Sequence, residues 1–302
     1  MASTTGWIQA RDGTDLLARR WPAGSAGDGA WAGIPWASVL LVHGLAEHSG
    51  RYEQVGAQLA VAGFDVYSYD QRGFGASGGR PGHVDRWSEY HDDLEDRLAA
   101  VRASAAGRPI ILYGHSLGGL IALGYVLSDR PGPDLLVLSA PSIASTIPVW
   151  KKVLARVLGR IAPTLSVANG VAGDILSRDP TVAERYLADP LNRHRSTTRF
   201  GAEALGEQRR VLGALSRLDL PTLVIHGGDD RLVPTASSER LAALARVTRV
   251  VHPGLRHETH NEPEAPAVIA GVIAWLRGRV TEMTGATMRA QPNTASGERI
   301  ER

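Results

Sequence analysis

Pro109-Ile110-Ile111-Leu112-Tyr113-Gly114-His115-Ser116-Leu117-Gly118-Gly119-Leu120-Ile121-Ala122-Leu123-Gly124-Tyr125-Val126-Leu127-Ser128 is the stretch that decides the fold. It contains no Asp, Glu, Lys or Arg, and its length would suit a bilayer span. Pro109, His115, Ser116 and the glycines at 114, 118, 119 and 124 argue against that. A buried strand over Pro109 to Tyr113, a tight turn and a buried helix over Leu117 to Leu127 account for the pattern better. Gly114-His115-Ser116-Leu117-Gly118 is then a G-x-S-x-G sequence between strand and helix, the context that makes the serine a nucleophile. The turn is sharp, and small residues two before and two after Ser116 let the chain close. The helix N-terminus points N–H groups at the hydroxyl, where an oxyanion would develop.

Outward from this turn, apolar runs alternate with helical patterns. Strands are expected at Trp7 to Ala10 and Leu16 to Trp21, which form an antiparallel start, then at Val39 to Val42, Asp65 to Tyr69 and Leu135 to Leu138. Helices are expected at Tyr52 to Ala62 and Trp87 to Ser104, and a Gly/Ala/Pro-rich surface loop over Pro22 to Trp36. From Pro141 to about Arg199 no strand is convincing. The alternation resumes at Thr222 to His226, followed by a helix (Ser237 to Ala245), a strand (Arg249 to His252) and a last helix (Ala265 to Arg279). The interruption reads as an inserted cap. The expected organisation is a core of residues 1–140 and 200–280, a cap of 141–199 and a disordered tail of 281–302.

A serine needs a base oriented by an acid, in the chain order Ser, acid, His for this kind of turn. Asp229 and Asp230 follow one late strand; His252, His257 and His260 end or follow the next. Spacing leaves both aspartates open, and position within the loop favours His257. His43-Gly44-Leu45 follows the first parallel strand, so the N–H groups of Leu45 and Leu117 are the expected oxyanion donors.

Composition narrows the field. The 302 residues are 43% hydrophobic and 21% charged, an ordinary globular balance. Cysteine is absent, which excludes disulfides, thiol nucleophiles and Cys-ligated metals. The net charge of +2 does not suit a nucleic-acid partner. The start, MASTTGWIQARDG, lacks the pattern of an export signal, and a cytoplasmic location is expected. The acidic run Glu89 to Asp96 reads as a solvated helix face paired with Arg97 and Arg102, with no metal or cofactor implied.

The run His43-Gly44-Leu45-Ala46-Glu47-His48-Ser49-Gly50-Arg51-Tyr52 resembles the H-G-x-x-E-H-x-x-R-Y signature of the monoacylglycerol lipase branch of the α/β-hydrolases. Ser77 to Arg80, Tyr90 to Asp93, Leu176 to Pro180, Asp189-Pro190-Leu191 and His257 to Glu264 are similar to further stretches of that family. Phe74 departs from it, standing where many members carry a second His. The resemblance implies an α/β-hydrolase fold: a mostly parallel eight-stranded sheet flanked by helices, with a helical cap after the sixth strand. It implies Ser116, Asp230 and His257 as the triad, settling on Asp230, and places Glu47, Arg51, Tyr186 and His260 near the pocket for the alcohol portion of the substrate. The activity implied is hydrolysis of a monoacylglycerol through an acyl-enzyme. Lysophospholipase or general carboxylesterase activity, and a non-catalytic binding protein, are the alternatives.

Within the cap, Val149, Trp150, Val153, Leu154, Val157, Leu158 and Ile161 recur at helical spacing, with Lys151, Lys152, Arg156 and Arg160 on the other side. Two readings follow. The helix buries its apolar face on the core and leaves a solvated basic face, or it is a lid that shows the apolar face to a lipid surface. The apolar cap suits an acyl chain.

Overall fold

The computed structural model describes residues 2–24, 34–145 and 147–290. Strands β1 (Thr4–Gln9) and β2 (Asp15–Trp21) form an antiparallel hairpin. Then β3 (Ser38–Val42), α1 (Glu53–Val61), β4 (Asp65–Tyr69), α2 (Ser88–Ser104), β5 (Ile110–His115), α3 (Leu117–Val126) and β6 (Leu135–Ser139) alternate. An insertion follows: α4 (Val149–Ile161), β7 (Ser166–Ala168), α5 (Pro180–Ala188) and β8 (Arg195–Thr197). The chain returns through α6 (Thr198–Ala214) to β9 (Thr222–Gly227), α7 (Glu239–Ala242), β10 (Val247–His252) and α8 (Ala265–Ala290).

Eight strands form one sheet in the order β1-β2-β4-β3-β5-β6-β9-β10, parallel from β4 to β10. Alternate residues of each central strand feed two cores. Leu40, Val42, Ile110 and Leu112 face Leu94 and Leu98 of α2 and Leu120 and Leu123 of α3. Val39, Leu41, Ile111 and Tyr113 face Val55 and Leu59 of α1 and Val268, Val272 and Leu276 of α8. Both faces being covered, the strands read as continuous apolar runs. The stretch that would have suited a bilayer is β5, the turn and α3, and among the described residues no helix is long and apolar enough to cross a membrane.

Four expectations need correction. The insertion is not strand-free: β7 and β8 pair antiparallel, Val167 opposite Ser196, in runs too short to show an alternating pattern. The helix expected over Ser237 to Ala245 is a 3-10 turn, Thr235–Ser238, and the single turn of α7. The last helix runs past Arg279 to Ala290, so Thr281 to Ala290 is not a disordered tail; Val280 and Met283 extend the buried stripe of Val272 and Leu276 at helical spacing. The acidic run of α2 pairs with Arg11, Arg72 and Arg130, not with Arg97 and Arg102. Most of the loop expected over Pro22 to Trp36, residues 25–33, and the tail from 291 to 302 lie outside the described residues.

Candidate active site

Ser116 sits at the junction of β5 and α3 with φ 51° and ψ −112°, a backbone that a non-glycine residue holds only under constraint. The constraint is visible. Its N–H donates to Ser139 O at 2.9 Å, and its carbonyl accepts from Leu120 and Ser142 N–H at 3.1 and 3.0 Å. Glycines let the flanks close: a Cβ on Gly118 would lie 2.1 Å from Val42 O, and one on Gly114 2.4 Å from Gly118 O. Leu117, first residue of α3, has no intrahelical acceptor for its N–H.

Asp230 and His257 come together from the loops after β9 and β10. His257 Nδ1 lies 2.7 Å from Asp230 Oδ2, both side chains buried. The two loops can approach because β9 ends in glycine; a Cβ on Gly227 would meet Arg256 O at 2.1 Å. Asp230 Oδ1 accepts from Leu232 and Val233 N–H at 2.8 and 2.9 Å. Burial pushes its carboxyl up, but hydrogen bonds from His226 and His257 outweigh that and hold it well below the usual carboxylate range. Asp229 is exposed, with its N–H spent on Leu255 O. His252 ends β10, outside this pair. His115 packs its ring against His257 and His260 at centroid distances of 4.9 and 4.8 Å; burial, with the charges of His260, His257 and Arg51, keeps it neutral.

Leu45 belongs to the loop after β3, which passes directly over Ser116: a Cβ on Gly44 would lie 3.3 Å from Ser116 Cβ. The next residue, Ala46, holds φ 67°. Glu47 fixes this bend. Its carboxylate accepts from Gly44 N–H at 2.5 Å and from Tyr52 OH at 2.6 Å, and pairs with Arg51. Arg51 reaches Glu258 through both Nη atoms at 2.7 and 2.8 Å and lies 5.1 Å beneath the Tyr186 ring. His260 stacks on Tyr52 at 5.0 Å. Glu47, Arg51, Tyr186 and His260 therefore form one buried group, in which Glu47 and Tyr186 reach the cavity wall. Sequence reasoning missed Glu258 as the second carboxylate on Arg51; its place directly after His257 is the one signal that it faces inward. Phe74 packs edge-on against His43 and Phe200, at 6.3 and 5.9 Å.

Ser116, His257, Leu45 and Leu117 open onto one cavity of about 440 Å³. Its far wall is apolar: Leu120, Val171, Leu176, Phe200, Leu205 and Leu232. Among the described residues no cluster of His, Asp and Glu has metal-binding geometry.

The insertion's first helix turns its apolar side outward. Val149, Trp150, Val153, Leu154, Val157 and Ile161 are exposed, Trp150 at 62% and Ile161 at 74%. Its inward seam is small: a Cβ on Gly159 would lie 2.6 Å from Ala202 Cβ in α6. The reading in which this helix buries its apolar face on the core is thus overturned, because the close approach of α4 to α6 needs small residues and leaves the large ones outside. Ile147 and Val167 are both exposed at the surface and part of the cavity lining, so the apolar patch continues into the cavity.

The Hydrolase_4 family, described as serine aminopeptidase, S33, matches residues 33–264. A monoacylglycerol lipase of Mycolicibacterium smegmatis is 38% identical over 249 residues, covering 80% of this chain and 88% of its own. The monoglyceride lipase of Homo sapiens is 31% identical, over 93% of this chain and 91% of its own. The crystal structure of the Paleococcus ferrophilus monoacylglycerol lipase superposes with a TM-score of 0.76 at 31% identity, covering 87% of this chain and 98% of its own.

Proposed function

This chain belongs to the Hydrolase_4 family and, within the α/β-hydrolases, to the monoacylglycerol lipase branch, and from that premise we propose that it hydrolyses monoacylglycerols with Ser116, His257 and Asp230 as its catalytic triad. The observation that carries this reading is the His257–Asp230 contact of 2.7 Å at the mouth of an apolar cavity that also holds the strained Ser116.

Ser116 Oγ attacks the ester carbonyl while His257 Nε2 takes its proton. The N–H groups of Leu45 and Leu117 hold the oxyanion. Asp230 keeps the His257 proton on Nδ1 and stabilises the imidazolium. As the C–O bond breaks, His257 returns a proton to the departing glycerol oxygen. Water, deprotonated by the same nitrogen, then cleaves the acyl-enzyme and releases the fatty acid. The acyl chain lies along Leu120, Phe200 and Leu205. The glycerol lies on the side of Glu47, Arg51, Tyr186 and His260, where the Tyr186 hydroxyl is buried without a protein partner.

Residues 141–199 act as a cap in this reading, and α4 is its contact with a lipid surface. The outward apolar residues of α4 and their continuity with the cavity through Ile147 and Val167 support this. A monoacylglycerol would pass from the lipid phase to Ser116 along apolar surface.

The test is fatty-acid release from long-chain monoacylglycerol, diacylglycerol, triacylglycerol, lysophosphatidylcholine and an aminoacyl anilide. Monoacylglycerol is expected to be preferred, and Ser116→Ala is expected to lower the rate by at least ~10³-fold with folding intact. Turnover chiefly of lysophospholipid would keep the triad and discard the substrate. Turnover surviving in Ser116→Ala would discard the triad.

A further inference from the structure

Asp230 Oδ2 carries two imidazoles, not one. His257 Nδ1 lies 2.7 Å from it and His226 Nε2 3.1 Å. His226, next to last in β9, is completely buried and is not part of the cavity lining. The mechanism above does not use it.

Its proton can be placed from its partners. His226 Nε2 also lies 3.1 Å from Val233 O. Both neighbours of Nε2 are acceptors, so Nε2 carries hydrogen. On the other side, His226 Nδ1 is 3.0 Å from Ser238 Oγ. Arg249 Nε, from β10, donates to that same Oγ at 2.8 Å. The Ser238 hydroxyl donates to Thr235 O at 3.0 Å, a carbonyl that also accepts from Arg249 Nη2 at 2.9 Å, so Arg249 and the Thr235 carbonyl anchor Ser238 beside the ring. Arg249 thus donates to Ser238, Ser238 faces His226 Nδ1, and His226 donates through Nε2 to Asp230.

We propose that His226, oriented by Ser238 and Arg249, is a positioning residue for catalysis that fixes the Asp230 carboxylate and weakens its pull on the His257 proton. This rests on the triad reading. A second donor on Oδ2 draws charge from the oxygen that holds His257 Nδ1–H. The carboxylate is then less basic, and the imidazolium of His257 is less strongly favoured. Without His226 two things follow. Asp230 Oδ2 loses one of its two side-chain restraints. His257 also keeps its proton to higher pH, so the base form needed by Ser116 is reached later on the pH scale. The titratable and charged groups facing this cluster are Asp230, His257, Arg249 and, beyond His257, His115 and His260.

The experiment measures kcat/KM against pH for a soluble short-chain ester, with the rate of fluorophosphonate labelling of Ser116 alongside, in the wild type, His226→Leu, His226→Gln and Ser238→Ala. His226→Leu removes the donor. It is expected to lower kcat/KM about tenfold and to move the acid limb up by roughly 0.5–1 pH unit. His226→Gln keeps an N–H donor in a side chain of similar reach and restores most of the rate and of the limb. Ser238→Ala leaves His226 in place without its orienting partner and moves the limb in the same direction by less. It also carries the test if His226→Leu does not fold, which circular dichroism reports.

An acid limb unchanged in both His226→Leu and Ser238→Ala, or a Gln variant no better than the Leu variant, overturns the proposal. His257→Ala or Ser116→Ala retaining activity would instead break the triad reading, so the two failures are distinguishable.

Discussion

The insertion between β6 and α6 has two halves, held in different ways. The second half, from Gly173 to Thr197, is bonded into the core along its length. Leu176 O accepts from Glu258 N–H at 2.8 Å, the residue after His257. Ser177 donates to Asn261 O at 2.9 Å, and Arg178 pairs with Glu262 at 3.0 Å. Arg193 N–H donates to Ala46 O in the loop over Ser116, and Asp189 meets His48 Nε2 at 2.9 Å. Thr197 N–H donates to Gly82 O at 2.8 Å. The first half, α4 and the turn after it, is bonded chiefly to the start of α6, with Thr198 N–H on Leu165 O, Arg199 N–H on Pro163 O and the Thr198 hydroxyl on Ala162 O. Its contact with α6 is a seam of small residues. One half is a wall of the cavity bonded to the loops around Ser116 and His257; the other is an apolar plate bonded chiefly to one helix.

The largest effect belongs to the wall. Arg51 is the cation between two buried carboxylates, Glu47 and Glu258, and it lies under Tyr186 of α5. Arg51→Met leaves both carboxylates without a counter-charge, an expected loss of about 3–5 kcal/mol in urea unfolding. Acid should narrow that loss. Burial pushes the Glu258 carboxyl up, but Arg51 outweighs burial and holds it at about 2. A depressed carboxyl stabilises the fold above its unfolded value of about 4.3, and that stability drains away as pH falls toward 2. The deficit of the variant should therefore shrink between about pH 5 and pH 2.5. A deficit that stays constant over this range would show that the wall does not depend on this pair.

A pair of glycines sets the two halves side by side. Gly82 holds φ +58°, and a Cβ there would lie 2.5 Å from Arg195 O and 2.9 Å from Ser196 Cα, both backbone of β8. Gly159 in α4 would bring its Cβ to 2.6 Å from Ala202 Cβ and 3.0 Å from Thr198 O of α6, but its own φ is helical. Gly82→Ala has no way to relax and should cost roughly 2–3 kcal/mol. In Gly159→Ala the clash is partly offset by helix propensity of about 1 kcal/mol, so the net loss should be the smaller of the two, roughly 1 kcal/mol. Thermal unfolding of both variants decides it. Equal losses would mean that the α4–α6 seam tolerates a methyl no better than the contact of Gly82 with β8 does.

The core of this fold was legible because β5, the turn and α3 carry their own signals: an apolar run, then glycines where helix and strand backbones nearly touch, then a serine. Position within its loop singled out His257, but Asp229 and Asp230 are adjacent and spacing could not choose between them; the buried partners of Asp230, His226, His257 and the Leu232 and Val233 N–H groups, do. Periodicity in α4 showed one apolar face but not the direction it points. The clue was the small residue, Gly159, on the opposite side. The end of α8 was hidden because Thr281, Glu282 and Thr284 are polar, while Val280 and Met283, among the described residues, continue the buried stripe. His226 was invisible as a functional group, since a histidine inside a strand has no local signature and its partner, Ser238, comes from a turn that reads as helix.

The smallest effect on stability should come from the outward face of α4, and it separates the halves by function. Trp150 and Val153 are exposed and contribute nothing to either buried core. Trp150→Ser with Val153→Ser should therefore change unfolding free energy by no more than about 0.5 kcal/mol. Hydrolysis of a soluble short-chain ester should be unchanged, because the wall, the loops and Ser116 are untouched. If α4 meets a lipid surface, both side chains insert on contact, and each contributes roughly 1.5–3 kcal/mol when fully buried. Partial insertion lowers this, so binding to phosphatidylcholine vesicles, read by flotation, should fall about tenfold or more. Hydrolysis of monoacylglycerol carried in those vesicles should fall with it, and the ratio of the two activities is the readout. A ratio that does not move would mean that substrate reaches the cavity from solution, and that the apolar plate of α4 covers the site without docking it.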